Sequence, residues 1–237
     1  MKILVIGGMH GNEMLGIDLV RSLQQKPILG IDYCIANPRA VEASTRYTSE
    51  DLNRSFPGKE TTGTYESVRA RSLLRKASSY DLVIDFHNTY CPNNDCAFVG
   101  EKAESLLFDV AAYFNLKRVV VADYDCINKY AQNCISVEIS VSSPQNSVAI
   151  WRQKLAALIR EGATEQKATV EKYRFVYRMS LEDRDQYNLA EKNLRAFKAL
   201  DDDTAQKMRV ASPAYPIFIN DKFTPYNFGG LLNRLPD

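Results

Sequence analysis

Apolar residues follow two rhythms along this chain. Short apolar runs bounded by turn residues predict buried strands at Lys2 to Gly7, Ile31 to Ala36, Leu82 to Phe86, Arg118 to Ala122 and Ile135 to Ile139. The first ends in Gly-Gly and the second is stopped by Asn37-Pro38. Between the runs, apolar positions recur at helical spacing. Met14, Leu15, Ile17, Leu19, Val20 and Leu23 predict a helix over 12–25, and similar patterns predict helices over 65–79, 103–115 and 147–162. Residues 41–63 are polar, with Phe56-Pro57-Gly58 as a turn, and predict a long loop of the kind that often carries function.

This alternation predicts an α/β domain over residues 1–163 with a mixed or largely parallel sheet. The polar stretch Gly162 to Lys172 predicts a crossing linker. Beyond it, Tyr173 to Met179 and Tyr215 to Asn220 alternate as strands do, predicting a small β-rich domain over 164–237. Ile217 and Phe218 are expected in its core, and Trp151 in helix-face packing.

Composition narrows the function classes. The 237 residues suit one or two domains, and 45% hydrophobic with 25% charged is ordinary for a globular protein. A formal charge of +1 supplies no global field for nucleic acid or an anionic membrane, though a local basic pocket remains compatible. No apolar run approaches the roughly 18–20 residues of a membrane span, and Ile3 to Ile6 is too short for a signal-peptide core. The chain therefore reads as cytoplasmic. Its five cysteines are odd in number and lack C-x-x-C spacing, which favours free thiols over a disulfide framework. Nothing in the pattern excludes a homo-oligomer.

There are only two histidines, His10 and His87. His10 lies in Gly7-Gly8-Met9-His10-Gly11-Asn12-Glu13, between a predicted strand and a predicted helix. On a helical turn His10 and Glu13 share a face and could ligate zinc; equally, this is a Gly-rich turn whose His caps a helix. His87 closes the run Leu82 to His87, at the carboxyl end where α/β sheets place their sites. His, Glu and His form a known catalytic zinc set with one open position. Asp85, two residues earlier, faces the same side of the strand and is either an orienting carboxylate for a ligand or a salt-bridged strand residue. The loop from Arg46 to Gly58 brackets polar residues between Arg46 and Arg54. It reads either as a carboxylate- or oxyanion-binding segment or as a solvated face whose Glu50 and Asp51 pair with the arginines. Glu138 sits mid-strand among apolar residues, which fits a general base of raised pKa or an outward-facing edge residue.

Together these segments resemble one family. His10 to Glu13, Asn37 to Ala40, Arg46 to Gly58, Asp85-Phe86-His87 with Asn88-Thr89, and Glu138 occur in the order and spacing of the aspartoacylase / succinylglutamate desuccinylase family, zinc amidohydrolases related to zinc carboxypeptidases. Tyr215 to Asn220 resembles that family's C-terminal domain. The resemblance implies a zinc-carboxypeptidase-like mixed sheet flanked by helices, with a small β-rich C-terminal domain. It implies one zinc per chain on His10, Glu13 and His87, with Glu138 as general base and acid and Arg46 polarising the scissile carbonyl. It assigns Asn53 and Arg54 to the amino acid's carboxylate and Tyr124, fourteen residues before Glu138, to the pocket wall.

The chain departs from the pattern at two places. The family's side-chain-binding arginine, about ten residues before the catalytic glutamate, corresponds to Asn128, with Lys129 beside it as a replacement cation. The family's C-terminal tyrosine corresponds by spacing to Thr224, with Tyr226 two residues on as the candidate. The implied reaction is hydrolysis of the amide of a small N-acyl amino acid. A metallocarboxypeptidase acting on a short peptide or cell-wall fragment is the alternative, since the shorter second domain would leave the entrance more open.

Overall fold

The computed structural model describes residues 1–59, 63–163, 169–190 and 192–236. Residues 164–168 of the expected linker and 60–62 of the expected loop lie outside these. Among the described residues nine strands form one mixed sheet: β1 (Ile3–Gly7), β2 (Ile31–Ile35), β3 (Leu82–Thr89), β4 (Cys96–Gly100), β5 (Arg118–Ala122), β6 (Cys134–Ser140), β7 (Glu171–Met179), β8 (Ala214–Ile217) and β9 (Gly229–Arg234), in the order β2-β1-β3-β6-β4-β5-β7-β9-β8. β2, β1, β3 and β6 run parallel; β4 pairs antiparallel with β6, and β5 and β7 follow β4 in direction. β7, β9 and β8 continue the same sheet as antiparallel strands. The apolar runs of β1 and β3 are buried at every residue because both faces of the sheet are covered there.

The helices are α1 (Met14–Gln25), α2 (Pro38–Ala43), α3 (Tyr65–Ala77), α4 (Ser105–Tyr113), α5 (Ile127–Tyr130), α6 (Val148–Glu161), α7 (Leu181–Gln186) and α8 (Asp202–Lys207). One sheet face carries Val5, Phe86, Val119, Val137 and Ile139 against α1, α4 and α6. Trp151 is fully buried there, edge-on to Phe86 at 4.9 Å and to Phe114 at 5.2 Å, with its indole N–H donating to the Gln145 carbonyl. On the opposite face, Leu4, Ile6 and Val83 pack against α3 and the α5 segment. Farther along, that face carries Cys96, Phe98, Val120, Tyr173 and Leu232, and the segment after β8 lies against it.

Asn37-Pro38 does more than stop a strand. Asn37 caps α2 by accepting from the Ala40 N–H, with Pro38 in the first turn where its missing N–H costs nothing. β4, β9 and the short helices α2, α5, α7 and α8 carry too little periodicity to be seen in the sequence. The strand expected through Asn220 stops at Ile217, because Phe218 and Asn220 adopt left-handed backbone, φ 55° and 51°. Ile217 is in the core as expected, whereas Phe218 stacks on Phe98 and lines a cleft. All five cysteines are free thiols.

Candidate active site

Three elements converge at the carboxyl ends of β1 and β3. The turn after β1 carries His10, and the Glu13 N–H donates to the His10 carbonyl, so a turn rather than a helix face brings the two together. Glu13 is the N-cap of α1 but makes no capping bond, which leaves its carboxylate for the site. Gly11 is required by close approach: a Cβ there would sit 2.1 Å from the Ala40 carbonyl. Its N–H donates to the Arg46 carbonyl, tying the turn to the arginine loop. That loop is clamped in turn by buried Glu66, whose Oε1 accepts from Thr48 N–H and Oγ1 and from Ser49 N–H.

The two imidazoles present their Nδ1 atoms to one carboxylate. His10 Nδ1 lies 2.7 Å from Glu13 Oε1 and His87 Nδ1 lies 3.0 Å from Oε2. The three side chains are buried, and one ligand atom from each falls within 4.8 Å of the others, a grouping that could hold a metal ion. Each outer Nε2 meets a carboxylate: Asp51 at 3.1 Å from His10 and Asp85 at 2.7 Å from His87. Such carboxylates fix ring orientation and raise ligand basicity. Asp85 thus pairs with His87, a contact that serves either of its two readings.

Electrostatics follow. Burial alone would raise the Glu13 pKa, but the two histidines beside it hold it well below the carboxylate range. Asp51 behaves likewise: burial opposes its charge, and His10 and Arg46 outweigh it. Burial disfavours a charged His87, yet Asp85 and Glu13 raise its pKa well above the usual value. Arg46 bonds Asp51 through Nε at 3.1 Å and Nη2 at 3.0 Å, and through Nη1 reaches Glu13 and the Phe223 carbonyl. Burial works against its charge, and Asp51 and Glu13 overcome this. The solvated-loop reading is half realised, since Arg46 does pair with Asp51, but at a part-buried site.

Glu138 pairs with His87 across β3–β6 and with Cys96 across β6–β4, so it lies in the sheet interior rather than on an edge. It shares a face with His87 and Asp85 and opens into a cleft of about 660 Å³. Burial raises its pKa to about 8; His87 opposes the shift, and Glu13 and Asp221 add to it. His10, Glu13, Arg46, Asn53, Arg54 and Tyr124 line the same cleft. Asn53 Oδ1 accepts from the Ile127 N–H at 3.4 Å, and the Arg54 guanidinium lies over the Tyr124 ring at 4.6 Å.

Other expected residues fall elsewhere. Lys129 is exposed, with its ammonium 3.1 Å from Asp125, and is not among the lining residues. Asn128 is buried and structural: its amide N–H groups donate to the Phe98 and Cys134 carbonyls, and its oxygen accepts from Ser136. Thr224 lines the cleft, whereas Tyr226 is 48% exposed outside the lining, near enough to Arg46 and Arg178 to act on their charge. Several lining residues escaped the sequence reading, Arg178, Phe175 and Asp221 among them. Arg178 hid in an alternating strand and Phe175 looked like core. Asp221 sat in polar turn sequence; it is buried, accepting from Thr89 Oγ1, the Tyr90 N–H and the Phe223 N–H, and so binds the segment after β8 to the end of β3.

Comparison with known proteins places the chain in a family. Residues 1–127 match the profile of the succinylglutamate desuccinylase/aspartoacylase catalytic domain. The chain is 36% identical over 135 residues to an N-acyl-aromatic-L-amino acid amidohydrolase (carboxylate-forming) of Xenopus tropicalis, covering 50% of this chain and 43% of that protein. It is 28% identical over 194 residues to an aspartoacylase of Danio rerio, covering 73% and 60%. These matches span roughly half the length of the curated relatives. A solved succinylglutamate desuccinylase from Chromobacterium violaceum superposes with a TM-score of 0.74 over 99% of this chain and 85% of that one, at 17% identity, and so shares the fold. The chain belongs to the succinylglutamate desuccinylase/aspartoacylase family.

Proposed function

We propose that the protein hydrolyses the amide bond of a small N-acyl amino acid to a carboxylate and a free amino acid, with zinc held by His10, Glu13 and His87. One observation carries this reading: three buried donor atoms lie within 4.8 Å of one another, His10 and Glu13 among them line a cleft with Glu138 and Arg46, and His87 pairs with Glu138 across the sheet. The donor set fits zinc, because two neutral imidazoles and one carboxylate with outer carboxylates behind them are a catalytic zinc set. Zinc bound there supplies Lewis acidity toward water and toward a carbonyl oxygen.

Glu138 takes the proton of the attacking water and delivers it to the leaving amine. Its partly desolvated position suits both roles, because a carboxyl whose pKa lies near the working pH both accepts and releases a proton readily. Arg46 stabilises the oxyanion that develops on the scissile carbonyl. Its fork is already oriented by Asp51 and the Phe223 carbonyl, so little reorganisation accompanies the reaction. Asn53 and Arg54 hold the amino acid's carboxylate, and Tyr124 forms the wall beneath Arg54.

Purified protein, with and without chelator, is to be offered N-acetyl, N-succinyl and N-formyl amino acids alongside short peptides, with free amine and bound metal measured together. About one zinc per chain and chelator-sensitive release from N-acyl amino acids is the expected result. Release from peptides alone would replace this reading with the carboxypeptidase one, and absence of bound zinc would overturn the metal site.

A further inference from the structure

The cleft holds one cation that no step above uses. Arg178, near the end of β7, lines it, and among the described residues no carboxylate lies within 4.0 Å of its guanidinium and no hydrogen bond holds it. Its neighbour is another cation. Arg54 and Arg178 both stand against the ring of Tyr124, at 4.6 and 5.7 Å, so a single small molecule reaches both. Burial, and then repulsion from Arg54, lower the Arg178 pKa, with Tyr124, Tyr226 and Asp51 only partly opposing the shift.

The backbone is arranged to turn this side chain, which stays exposed to solvent, toward the cleft. Phe175 pairs with Leu232, but Tyr177 pairs with Leu231, so Val176 is the extra residue of a β-bulge. Tyr173 and Phe175 face the cleft side, while Tyr177 and Met179 belong to the separate cluster with Leu189, Met208 and Phe228. Strict alternation from Phe175 would send Arg178 to that second cluster's side; the bulge reverses the parity and returns it to the cleft. Bulges re-aim side chains in this way beside functional sites. The residue paired with Arg178 is Gly230, where a Cβ would meet the Phe175 ring at 2.5 Å. A glycine there keeps the cleft floor low opposite the guanidinium. Lys129, the expected alternative cation, is neutralised outside by Asp125.

We propose that Arg178 is a specificity-determining residue that receives a second carboxylate of the substrate, carried either on the amino-acid side chain or on the acyl group, so that the preferred substrates are dianionic N-acyl amino acids. This rests on the reading of the cleft as an N-acyl amino acid site. A bidentate guanidinium is suited to that carboxylate, and Arg54 to the other.

The test compares wild type, Arg178→Met and Arg178→Lys on N-acetyl-L-aspartate, N-succinyl-L-leucine and N-acetyl-L-leucine. In Arg178→Met the ratio of kcat/KM for one dianionic substrate to that for N-acetyl-L-leucine is expected to fall about ten- to a hundredfold, mainly through KM. Arg178→Lys should recover part of it, and which dianion suffers identifies the source of the second carboxylate. A role in folding alone would lower all three substrates in proportion and leave the ratio unchanged, which overturns the proposal. Calorimetric titration of the same proteins with L-aspartate and with succinate decides independently of turnover. Dicarboxylate binding that Arg178→Met weakens supports the assignment even if no amide is cleaved, in which case the hydrolytic reading alone fails. Binding unaffected by Arg178→Met, with N-acyl amino acids still hydrolysed, removes the Arg178 assignment and leaves the hydrolytic reading standing.

Discussion

The two ends of the cleft are built on opposite principles. At the β1–β3 end the His10, Glu13 and His87 group is fully partnered: the Glu13 carboxylate contacts His10, His87, Arg46 and the Asn88 N–H, and each histidine is backed by a second carboxylate. At the Tyr124 end two guanidiniums share a ring and no carboxylate bonds to either among the described residues. The first end is preorganised and buried, as a site for chemistry must be. The second is cationic and more open, as a site that waits for an anion is. The difference teaches where to look for rate and where to look for selectivity: disruption of the buried end should act on kcat or on metal affinity, and disruption of the open end on KM.

The sharpest test of that division is Glu138→Gln, which keeps shape and removes the base. A kcat loss of about 10²- to 10⁴-fold is expected with zinc content intact, and near-normal turnover of the zinc-loaded variant would break the assignment. Arg46→Gln should lower kcat about 10²- to 10³-fold, provided circular dichroism shows the fold retained, because one preorganised oxyanion donor is lost. Asp85→Asn tests the outer carboxylate: zinc affinity, measured by competition with a chelator, should fall about ten- to a hundredfold. At the open end Arg54→Gln should raise KM about tenfold while kcat holds within a factor of a few. An equal loss in kcat would erase the contrast between the ends.

The smallest effect concerns stability. Glu138 titrates near 8 in the folded chain against an ordinary value of 4.5, so between those pH values the folded state binds more protons than the unfolded one. In chelator-treated protein, stability should therefore fall as pH rises from about 5 to about 8, and Glu138→Gln should flatten the slope in urea titrations. His87, with its raised pKa, contributes a slope of the same sign that the variant retains in part, since Asp85 and Glu13 remain beside it while the Glu138 charge is gone. Parallel slopes in the two proteins would show that Glu138 is better solvated than its position between β3 and β4 implies.

What was legible in the sequence has a common character. The apolar runs of β1, β3 and β6 and the periodic faces of α1, α3 and α6 are read directly, because a strand or helix buried on a face must be apolar there. His10 and Glu13, in the turn between β1 and α1, His87, near the end of β3, and Glu138, within β6, could be singled out as candidates from those elements and from their order along the chain. β4 and β9 were not, since Cys96-Ala97-Phe98-Val99-Gly100 and Gly229-Gly230-Leu231-Leu232 are short runs without a distinctive period.

The sequence by itself determined the α/β alternation, the scarcity of histidine and the ordered motifs that mark the family. Only the tertiary structure decided which groups face one another: that Asp51 backs His10, that Asn128 is spent on the carbonyls of Phe98 and Cys134, and that Lys129 stays outside. It also decided that Arg178 lines the cleft, because one inserted residue at Val176 reverses the parity of every side chain after it. The physical reason is that periodicity records which face of an element is buried, whereas register, bulges and loop closure set what that face meets, and these depend on pairing between residues distant along the chain.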